Sequence, residues 1–207
     1  MRFVVYGVGA VGGAVAARLH QGGHEVVGIA RGAHLDAIRS RGLTLITPAE
    51  HTTVSLPVVD HPRELRWRGE EVVLLATKSQ DTSAALHHLR EAAGPSVPVV
   101  CVQNGVENER AALRLFGRVY GATVMLPAAH LEPGVVLSYG ARLTGMVDLG
   151  RYPGSVDDLC EQLCDTLRGC RFEARALADV MRAKHAKLLL NLGNAPAALC
   201  PAGEDRD

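Results

Sequence analysis

Polar side chains recur on one face of an otherwise apolar segment near the end of the chain. Residues 184–194 read KHAKLLLNLGN, with polar residues at i, i+3, i+7 and i+10: Lys184, Lys187, Asn191 and Asn194. This spacing places them on one helix face. An ammonium that donates a proton beside amides that orient a ligand suits general acid catalysis. A solvated face is the alternative, but it would usually carry Glu or Arg, and Asn is a poor helix former. We therefore interpret this face as the wall of a cleft.

A glycine-rich loop follows the first predicted strand. The sequence YGVGAVGG places Gly7, Gly9 and Gly12 in a G-x-G-x-x-G pattern between an apolar strand and a helical pattern. In this context the glycines permit a tight turn, close approach of a pyrophosphate and close packing of the helix on the strand. The helix N-terminus would face the phosphate charge. We expect a dinucleotide to bind these residues: Gly7, Val8, Gly9, Ala10, Val11 and Gly12. A glycine turn without a ligand is the alternative.

The end of the second predicted strand indicates which dinucleotide binds. NAD sites usually place an acidic residue about 20 positions after the glycine loop. Here Arg31 occupies that place, and no Asp or Glu occurs between Val26 and Leu35. A guanidinium is a planar, multi-donor partner for a 2′-phosphate. The sequence therefore favours NADP, unless Arg31 only caps the strand at the surface.

Polar residues also follow the third and fourth predicted strands. Lys78 follows the third strand, and Gln103, Asn104 and Glu107 follow the fourth. Ligands of open α/β sheets bind at the carboxyl ends of the strands, which is the edge that carries the glycine loop. A solvated lysine and an Asn-Gly turn are the alternative interpretation.

Short apolar segments alternate with helical patterns and position these residues. Strands are predicted at 2–7, 24–30, 71–77, 97–103 and 119–125, and helices at 10–21, 33–40, 81–92 and 107–115. This βαβα order predicts an α/β fold with a doubly wound parallel sheet and helices on both faces.

The remaining segments are predicted to extend this sheet and to begin a second domain. Short strands are expected within 44–60, antiparallel additions at one sheet edge within 126–150, a helix at 155–168, a strand at 170–175 and a long helix at 176–199. We divide the chain into a nucleotide-binding domain at 1–175 and the start of a helical domain at 176–207.

Composition narrows the class of protein. The chain has 22 basic and 22 acidic residues and 4% aromatic residues, which argues against a nucleic-acid partner. No apolar run reaches the length of a bilayer span, and glycines interrupt the N-terminal segment that could be read as a signal peptide. Five cysteines without a CxxC pair indicate a reduced, cytoplasmic protein. Cys160 and Cys164 lie one helical turn apart, but nothing completes a metal site, so we expect none.

Five ordered motifs resemble the ketopantoate reductase (2-dehydropantoate 2-reductase) family: GVGAVGG at 7–13, Arg31, TKSQDT at 77–82, QNGVENE at 103–109 and KLLLN at 187–191. Members bind NADPH in a Rossmann-type domain and reduce a 2-keto acid at a cleft shared with an all-helical C-terminal domain. The resemblance implies that Lys78 lies near the nucleotide and that Asn104 contacts the nicotinamide and the substrate. It also implies that Lys187 is the catalytic lysine. Asn191, one turn further on, would orient the substrate.

The chain departs from the family pattern in two ways. Many members carry Asn where this chain has Ala195, and Asn194 stands one residue earlier, a rotation of about 100° on a helix. The family's C-terminal domain also extends well beyond this helix and supplies further substrate-binding residues, commonly Ser and Glu. We therefore expect the helical domain to be incomplete in this chain.

Three functions remain open. The first is NADPH-dependent reduction of 2-dehydropantoate to pantoate, a step of pantothenate and CoA biosynthesis. The second is nucleotide binding with little or no turnover, and the third is the same chemistry on another 2-keto acid. We expect NADPH binding with slow reduction of ketopantoate. The leucine-rich helix, without its usual partner surface, also predicts self-association.

Overall fold

The computed structural model describes residues 1–192. In chain order the strands are β1 Arg2–Tyr6, β2 Glu25–Ile29, β3 Leu43–Ile46, β4 His51–Val54, β5 Val58–Val59, β6 Glu71–Leu75, β7 Val99–Cys101, β8 Val119–Met125, β9 Ala128–Ala129, β10 Val135–Ser138, β11 Gly145–Arg151 and β12 Phe172–Glu173. The helices are α1 Ala10–Gln21, α2 Gly32–Arg41, α3 Thr82–Ala93, α4 Asn108–Leu113, α5 Asp158–Gly169 and α6 Val180–Leu192.

The main sheet has eight strands in the order β12-β11-β8-β7-β6-β1-β2-β5. From β5 to β8 all neighbours are parallel, whereas β11 runs antiparallel to β8. The buried residues of β1 are divided between the two faces. Phe3 and Val5 pack on the side of α1 and α5, and Val4 packs on the side of α3 and α4. The predicted doubly wound parallel sheet is confirmed.

A second sheet of four strands differs from the prediction. Strand β11 is an antiparallel addition to the main sheet, as expected, but β9 and β10 lie in a separate sheet with β3 and β4, in the order β4-β3-β10-β9. This sheet packs on α1, where Val136 of β10 lies against Gly13. Because α1 is buried on nearly all sides, it needs a cover opposite the main sheet. An extended pattern indicates a strand but does not specify its partner.

Helix α6 docks on a pair of glycines in the main sheet. Gly121 of β8 and Gly150 of β11 are cross-strand partners. A Cβ on Gly150 would lie 2.1 Å from the carbonyl oxygen of Leu177 and 2.8 Å from Cβ of Val180. The missing side chains therefore allow the start of α6 to lie directly on the sheet. The predicted start of this helix at 176 was wrong, because Ala176 forms a bridge with Leu149 and α6 begins at Val180. The part of the prediction from 193 to 199 lies outside the described residues.

Candidate functional site

The carboxyl ends of three neighbouring parallel strands form one edge of the main sheet. The glycine loop follows β1, Thr77 and Lys78 follow β6, and Gln103 and Asn104 follow β7. The helices after β1 and β6 lie on opposite faces of the sheet, so β1 and β6 flank the topological switch point. Open α/β sheets bind their ligands at this point.

An added side chain would have a different effect at each glycine of the loop. Gly7 has φ of +100°, and its Cβ would lie 2.8 Å from the backbone nitrogen of Thr77. A Cβ on Gly12 would lie 1.9 Å from the carbonyl oxygen of Gly7, so α1 could not stay this close to the loop. Gly9 has no atom within 4 Å of its Cβ position. The space beside Gly9 is therefore open to a ligand.

The N-terminus of α1 is suited to an anion. Its N-cap, Gly9, makes no side-chain capping hydrogen bond, and the first turn contains no acidic residue. The free backbone N–H groups and the helix dipole both favour a negative charge here. A cleft of about 690 Å³ runs from Gly7, Val8 and Gly9 to Arg31 and Lys78. These residues fit a dinucleotide with its pyrophosphate at the helix end.

Arg31 is exposed at one side of this cleft and reaches across it. Its Nη2 lies 3.4 Å from Oδ2 of Asp81, and 75% of the Arg31 side chain is exposed. An exposed ion pair of this kind contributes little to stability. The guanidinium is therefore free to exchange Asp81 for a phosphate at low energetic cost.

His34, which the sequence did not single out, connects the glycine loop to the second sheet. Gly134 N–H donates to its Nδ1 at 2.9 Å, and its Nε2 lies 2.7 Å from the carbonyl oxygen of Val8. Since Nδ1 accepts, Nε2 carries the proton and donates to Val8. Burial lowers the pKa of His34, which favours this neutral form. Both contacts are long-range, and no local pattern marks this histidine.

A second cavity of about 900 Å³ shares Gly9, Thr77 and Lys78 with the first. The further predicted site residues that line it are Ala10, Val11, Asn104, Lys187 and Asn191. The structure thus brings the predicted nucleotide loop and the predicted catalytic face to one continuous depression. Asn194 lies outside the described residues.

Lys187 is held by two acceptors at the wall of this second cavity. Its Nζ donates to Oδ1 of Asn104 at 2.7 Å and to the carbonyl oxygen of Val124. Burial, and then the positive charge of Lys184, lower the pKa of Lys187. An ammonium has three N–H donors, so one remains for a ligand in the cavity.

Lys184 lies on the predicted polar face but has a different environment. Its Nζ donates to Oε1 of Glu109 at 2.5 Å and to the carbonyl oxygen of Gln103 at 3.0 Å. Both side chains of this ion pair are buried. Glu107, which the sequence suggested as a strand-end polar group, is instead exposed beside the start of α4. The interpretation of the polar face as one cleft wall was therefore wrong for Lys184.

A buried hydrogen-bond network fixes the loop that carries Asn104. Gln103 Nε2 donates to the hydroxyls of Thr77 and Thr82, at 3.2 Å and 2.8 Å. The Thr82 hydroxyl donates to Asn108, whose amide donates to the carbonyl oxygen of Asn104. Side-chain hydrogen bonds thereby join the turn after β6 to the loop after β7.

The described residues offer neither a metal cluster nor a bilayer span. Among residues 1–192, no group of three or more His, Cys, Asp or Glu side chains is arranged to hold a metal ion. Cys160 and Cys164 are buried in α5. Within the same range, every helix is too short or too polar to traverse a bilayer.

The sheet order and the glycine loop at its switch point define a Rossmann-type α/β protein. Residues 3–154 match the sequence profile described as ketopantoate reductase PanE/ApbA, and the chain belongs to this family. The 2-dehydropantoate 2-reductase of Pyrococcus horikoshii is 28% identical over 193 residues, which cover 92% of this chain and 61% of that relative. The chain thus spans about three fifths of the length of that curated relative.

Solved structures of the family share the fold. The PanE/ApbA family ketopantoate reductase from Ralstonia eutropha JMP134 superposes with a TM-score of 0.82 at 30% identity, covering 92% of this chain and 61% of that one. The 2-dehydropantoate 2-reductase from Geobacter metallireducens GS-15 gives a TM-score of 0.83 at 27% identity, with 93% and 63% covered. The family and the Rossmann-type fold expected from the motifs are confirmed.

Proposed function

We propose that this chain carries the nucleotide-binding and proton-donating parts of an NADPH-dependent 2-keto acid reductase. The favoured reaction is reduction of 2-dehydropantoate to pantoate. The observation that carries the proposal is the contact between Lys187 and Asn104 at 2.7 Å, in a cavity that is continuous with the glycine loop. Family membership and the names of the relatives support the choice of substrate.

Different residues of the chain would have different roles in the reduction of a keto acid. NADPH, when bound, supplies the hydride. The uncapped N-terminus of α1 would hold the pyrophosphate, and Lys78 would lie near the nucleotide. The free N–H of Lys187 would stabilise the negative charge that develops on the keto oxygen and would then donate the proton. Asn104 orients Lys187 and would face the nicotinamide and the substrate, while Asn191 would orient the substrate.

A second candidate is nucleotide binding with little or no turnover. It is favoured by the lining of the nucleotide cleft, which includes Gly7, Gly9 and Arg31 but no residue of α6. We also propose the division into a nucleotide domain at 1–175 and the start of a substrate domain at 176–207. NADPH titration and single-turnover oxidation with ketopantoate separate the two candidates. Oxidation that depends on Lys187 supports the reductase, and binding without oxidation supports the module. The third candidate is the same reduction of another 2-keto acid, since the fold does not specify the substrate.

We also propose that the protein works in the cytoplasm. The thiols of the described part of the chain support this location, because none of the four is paired in a disulfide: Cys101, Cys160, Cys164 and Cys170. Burial raises the pKa of all four thiols, which makes them unreactive. Unpaired cysteines are typical of proteins in reducing compartments.

Arg31→Ala is expected to weaken NADPH binding roughly ten- to a hundredfold, the value of a charged hydrogen bond, and to leave NADH binding nearly unchanged. The reason is that only NADPH carries a 2′-phosphate for the guanidinium. Fluorescence titration of both nucleotides measures the ratio. Asp81→Asn is the matched control, because it removes the partner of Arg31 but keeps the guanidinium. This control should bind NADPH at least as well as the unaltered chain. Equal losses for NADPH and NADH in Arg31→Ala would contradict the assignment.

The exposed leucines of α6 support the proposal of self-association. Leu189 and Leu190 are 70% and 71% exposed in the structure. We expect the chain to sediment as a dimer or larger species, since adjacent exposed leucines favour burial. Leu189→Glu together with Leu190→Glu should shift it to the monomer. Leu131→Glu is the control, because Leu131 is equally apolar and 82% exposed but lies far from α6 in sequence. A monomeric unaltered chain would overturn this proposal.

A further inference from the structure

Lysine is rare in this chain and is confined to the candidate site. The 22 basic residues comprise 19 arginines and three lysines, which are Lys78, Lys184 and Lys187. Lys78 and Lys187 line the shared cavity, and Lys184 lies one helical turn before Lys187. Arginine supplies a permanent charge and more donors, whereas lysine is a compact charge whose proton affinity responds to its surroundings. All three lysines of the chain therefore lie at this site or next to it.

Lys184 joins α6 to the same loop that Lys187 contacts. Lys184 Nζ bonds the carbonyl oxygen of Gln103, and Lys187 Nζ bonds the side chain of Asn104, the next residue. Glu109 of α4 holds Lys184 from the other side at 2.5 Å. Two successive turns of α6 are thus attached to two successive residues of one loop.

Stability alone does not account for this ion pair. The side chains of Lys184 and Glu109 are 2% and 0% exposed, and burying two charges costs about as much as their attraction returns. Oε2 of Glu109 is buried without a hydrogen-bond partner in the described part of the chain, which adds to the cost. An apolar pair of similar volume would be expected to fold at least as stably.

We propose that Lys184, held by Glu109, is a positioning residue for Lys187: it fixes α6 on the loop 103–104 and presents a second positive charge beneath the reacting ammonium. This inference rests on the proposed role of Lys187 as proton donor. The second charge favours release of a proton from Lys187, because two ammonium groups one turn apart repel each other. Glu109 accepts a hydrogen bond from Lys184 and so holds it turned away from the cavity that Lys187 lines.

Few other charged groups face Lys187. On α6 itself, His185 is exposed and bonds the carbonyl oxygen of Met181, and Arg182 lies before Lys187, nearer the start of the helix. Across the cavity, Lys78 is exposed. Cys101 of β7 is a neutral thiol, since burial raises its pKa. Strand β8 contributes the Val124 carbonyl, and α4 contributes Glu109. Lys184 is thus a positive charge close to Lys187 whose own side chain does not line this cavity.

The test exploits the small number of lysines. A chain labelled with ¹³C at lysine Cε should give three side-chain signals, assigned by substituting each lysine in turn. Titration of the Lys187 signal follows its pKa directly and requires no turnover. In Lys184→Met with Glu109→Gln, the midpoint for Lys187 should move upward by up to about 0.5 pH unit, because the lost ammonium acts on Lys187 directly and outweighs the lost carboxylate, which contacts Lys184. Lys184→Arg should keep the original midpoint, since it retains the charge.

A second buried ion pair provides the matched control. Arg2 and Glu71 lie 2.8 Å apart at the amino-terminal ends of the parallel strands β1 and β6, away from the cavities, and both are buried. Arg2→Met with Glu71→Gln should leave the midpoint of Lys187 unchanged. An unchanged midpoint in the Lys184/Glu109 variant would overturn the proposal. Loss of the folded state in that variant would also overturn the proposal, because the ion pair would then be required for the fold itself.

Turnover gives an independent readout. The rate of keto acid reduction should fall at alkaline pH, where Lys187 loses its proton. In the Lys184/Glu109 variant this fall should occur at a higher pH, and it should affect kcat more than KM. If the unaltered chain shows no turnover, the proposed function fails, but the titration of Lys187 still decides the role of Lys184. A shift of the midpoint without any turnover would thus separate the two proposals.

Discussion

Lys187→Ala is expected to lower the rate of NADPH oxidation with ketopantoate by roughly 10²- to 10⁴-fold, the usual contribution of a general acid. The ammonium of Lys187 is attached to Asn104 and to the Val124 carbonyl, so its remaining N–H is the donor available to a keto oxygen at this wall. NADPH affinity should change little, because Gly7, Val8 and Arg31 line the other cavity, which Lys187 does not line. Single-turnover absorbance of NADPH measures the rate, and fluorescence titration measures the affinity.

Lys187→Arg is the companion variant. It keeps the positive charge but does not release a proton readily, since a guanidinium stays protonated throughout the accessible pH range. We expect NADPH binding to be kept and most of the turnover to be lost. Equal turnover in the unaltered chain and in Lys187→Ala would rule out Lys187 as the proton donor and would favour another acid in the cavity.

The pH dependence follows from the position of Lys187. Burial and the charge of Lys184 lower its pKa, so it loses its proton at a pH below the usual range of lysine. Reduction needs the protonated form, and the rate should therefore fall as the pH rises through this lowered pKa. The contribution of Lys187 to the stability of the fold changes with pH in the opposite direction. The folded state binds fewer protons here than the unfolded state, so this group adds to stability as the pH rises from the folded towards the unfolded pKa.

Gly12→Ala is expected to disrupt both the fold of the loop and nucleotide binding. The added Cβ would lie 1.9 Å from the carbonyl oxygen of Gly7, and a backbone atom cannot move aside as a flexible side chain can. We expect the free energy of unfolding to fall by about 3 kcal/mol, at the upper end for overpacking. NADPH affinity should drop by at least about 100-fold, because α1 must move away from the pyrophosphate position. Urea unfolding and nucleotide titration measure the two effects.

Gly9→Ala should weaken nucleotide binding with little loss of folding stability, and so it separates these two effects. The Cβ position of Gly9 has no atom within 4 Å and its φ is −73°, which alanine adopts readily. The free energy of unfolding should therefore change by no more than about 1 kcal/mol, the cost of alanine at an N-cap. The added methyl group would nevertheless occupy the space proposed for the pyrophosphate, so NADPH binding should weaken. Unaltered NADPH affinity in Gly9→Ala would show that the nucleotide does not approach this loop.

Local patterns in the sequence were sufficient to predict most of the fold. Apolar runs and helical periods depend on neighbouring residues, so the βαβα order and helices such as α1 could be placed from the sequence to within a residue or two. The glycine loop could be predicted because its backbone requirement is also local, as the positive φ of Gly7 shows. The motifs predicted a role for Lys187 and one for Asn104 but no contact between them, and the structure places their side chains 2.7 Å apart across 83 residues of sequence.

The tertiary structure alone decided the partners of the remaining groups. The pattern at 126–150 indicated strands, but whether β10 joins the main sheet or covers α1 depends on which surface needs burial. Lys184 and Lys187 lie on the same helical face, yet one is buried against Glu109, 75 residues away, and the other lines a cavity. The sequence by itself determined the elements and the chemistry each could offer. Which side chains are buried and paired was decided by packing between distant segments, because burial is a property of the assembled surfaces and of no single segment.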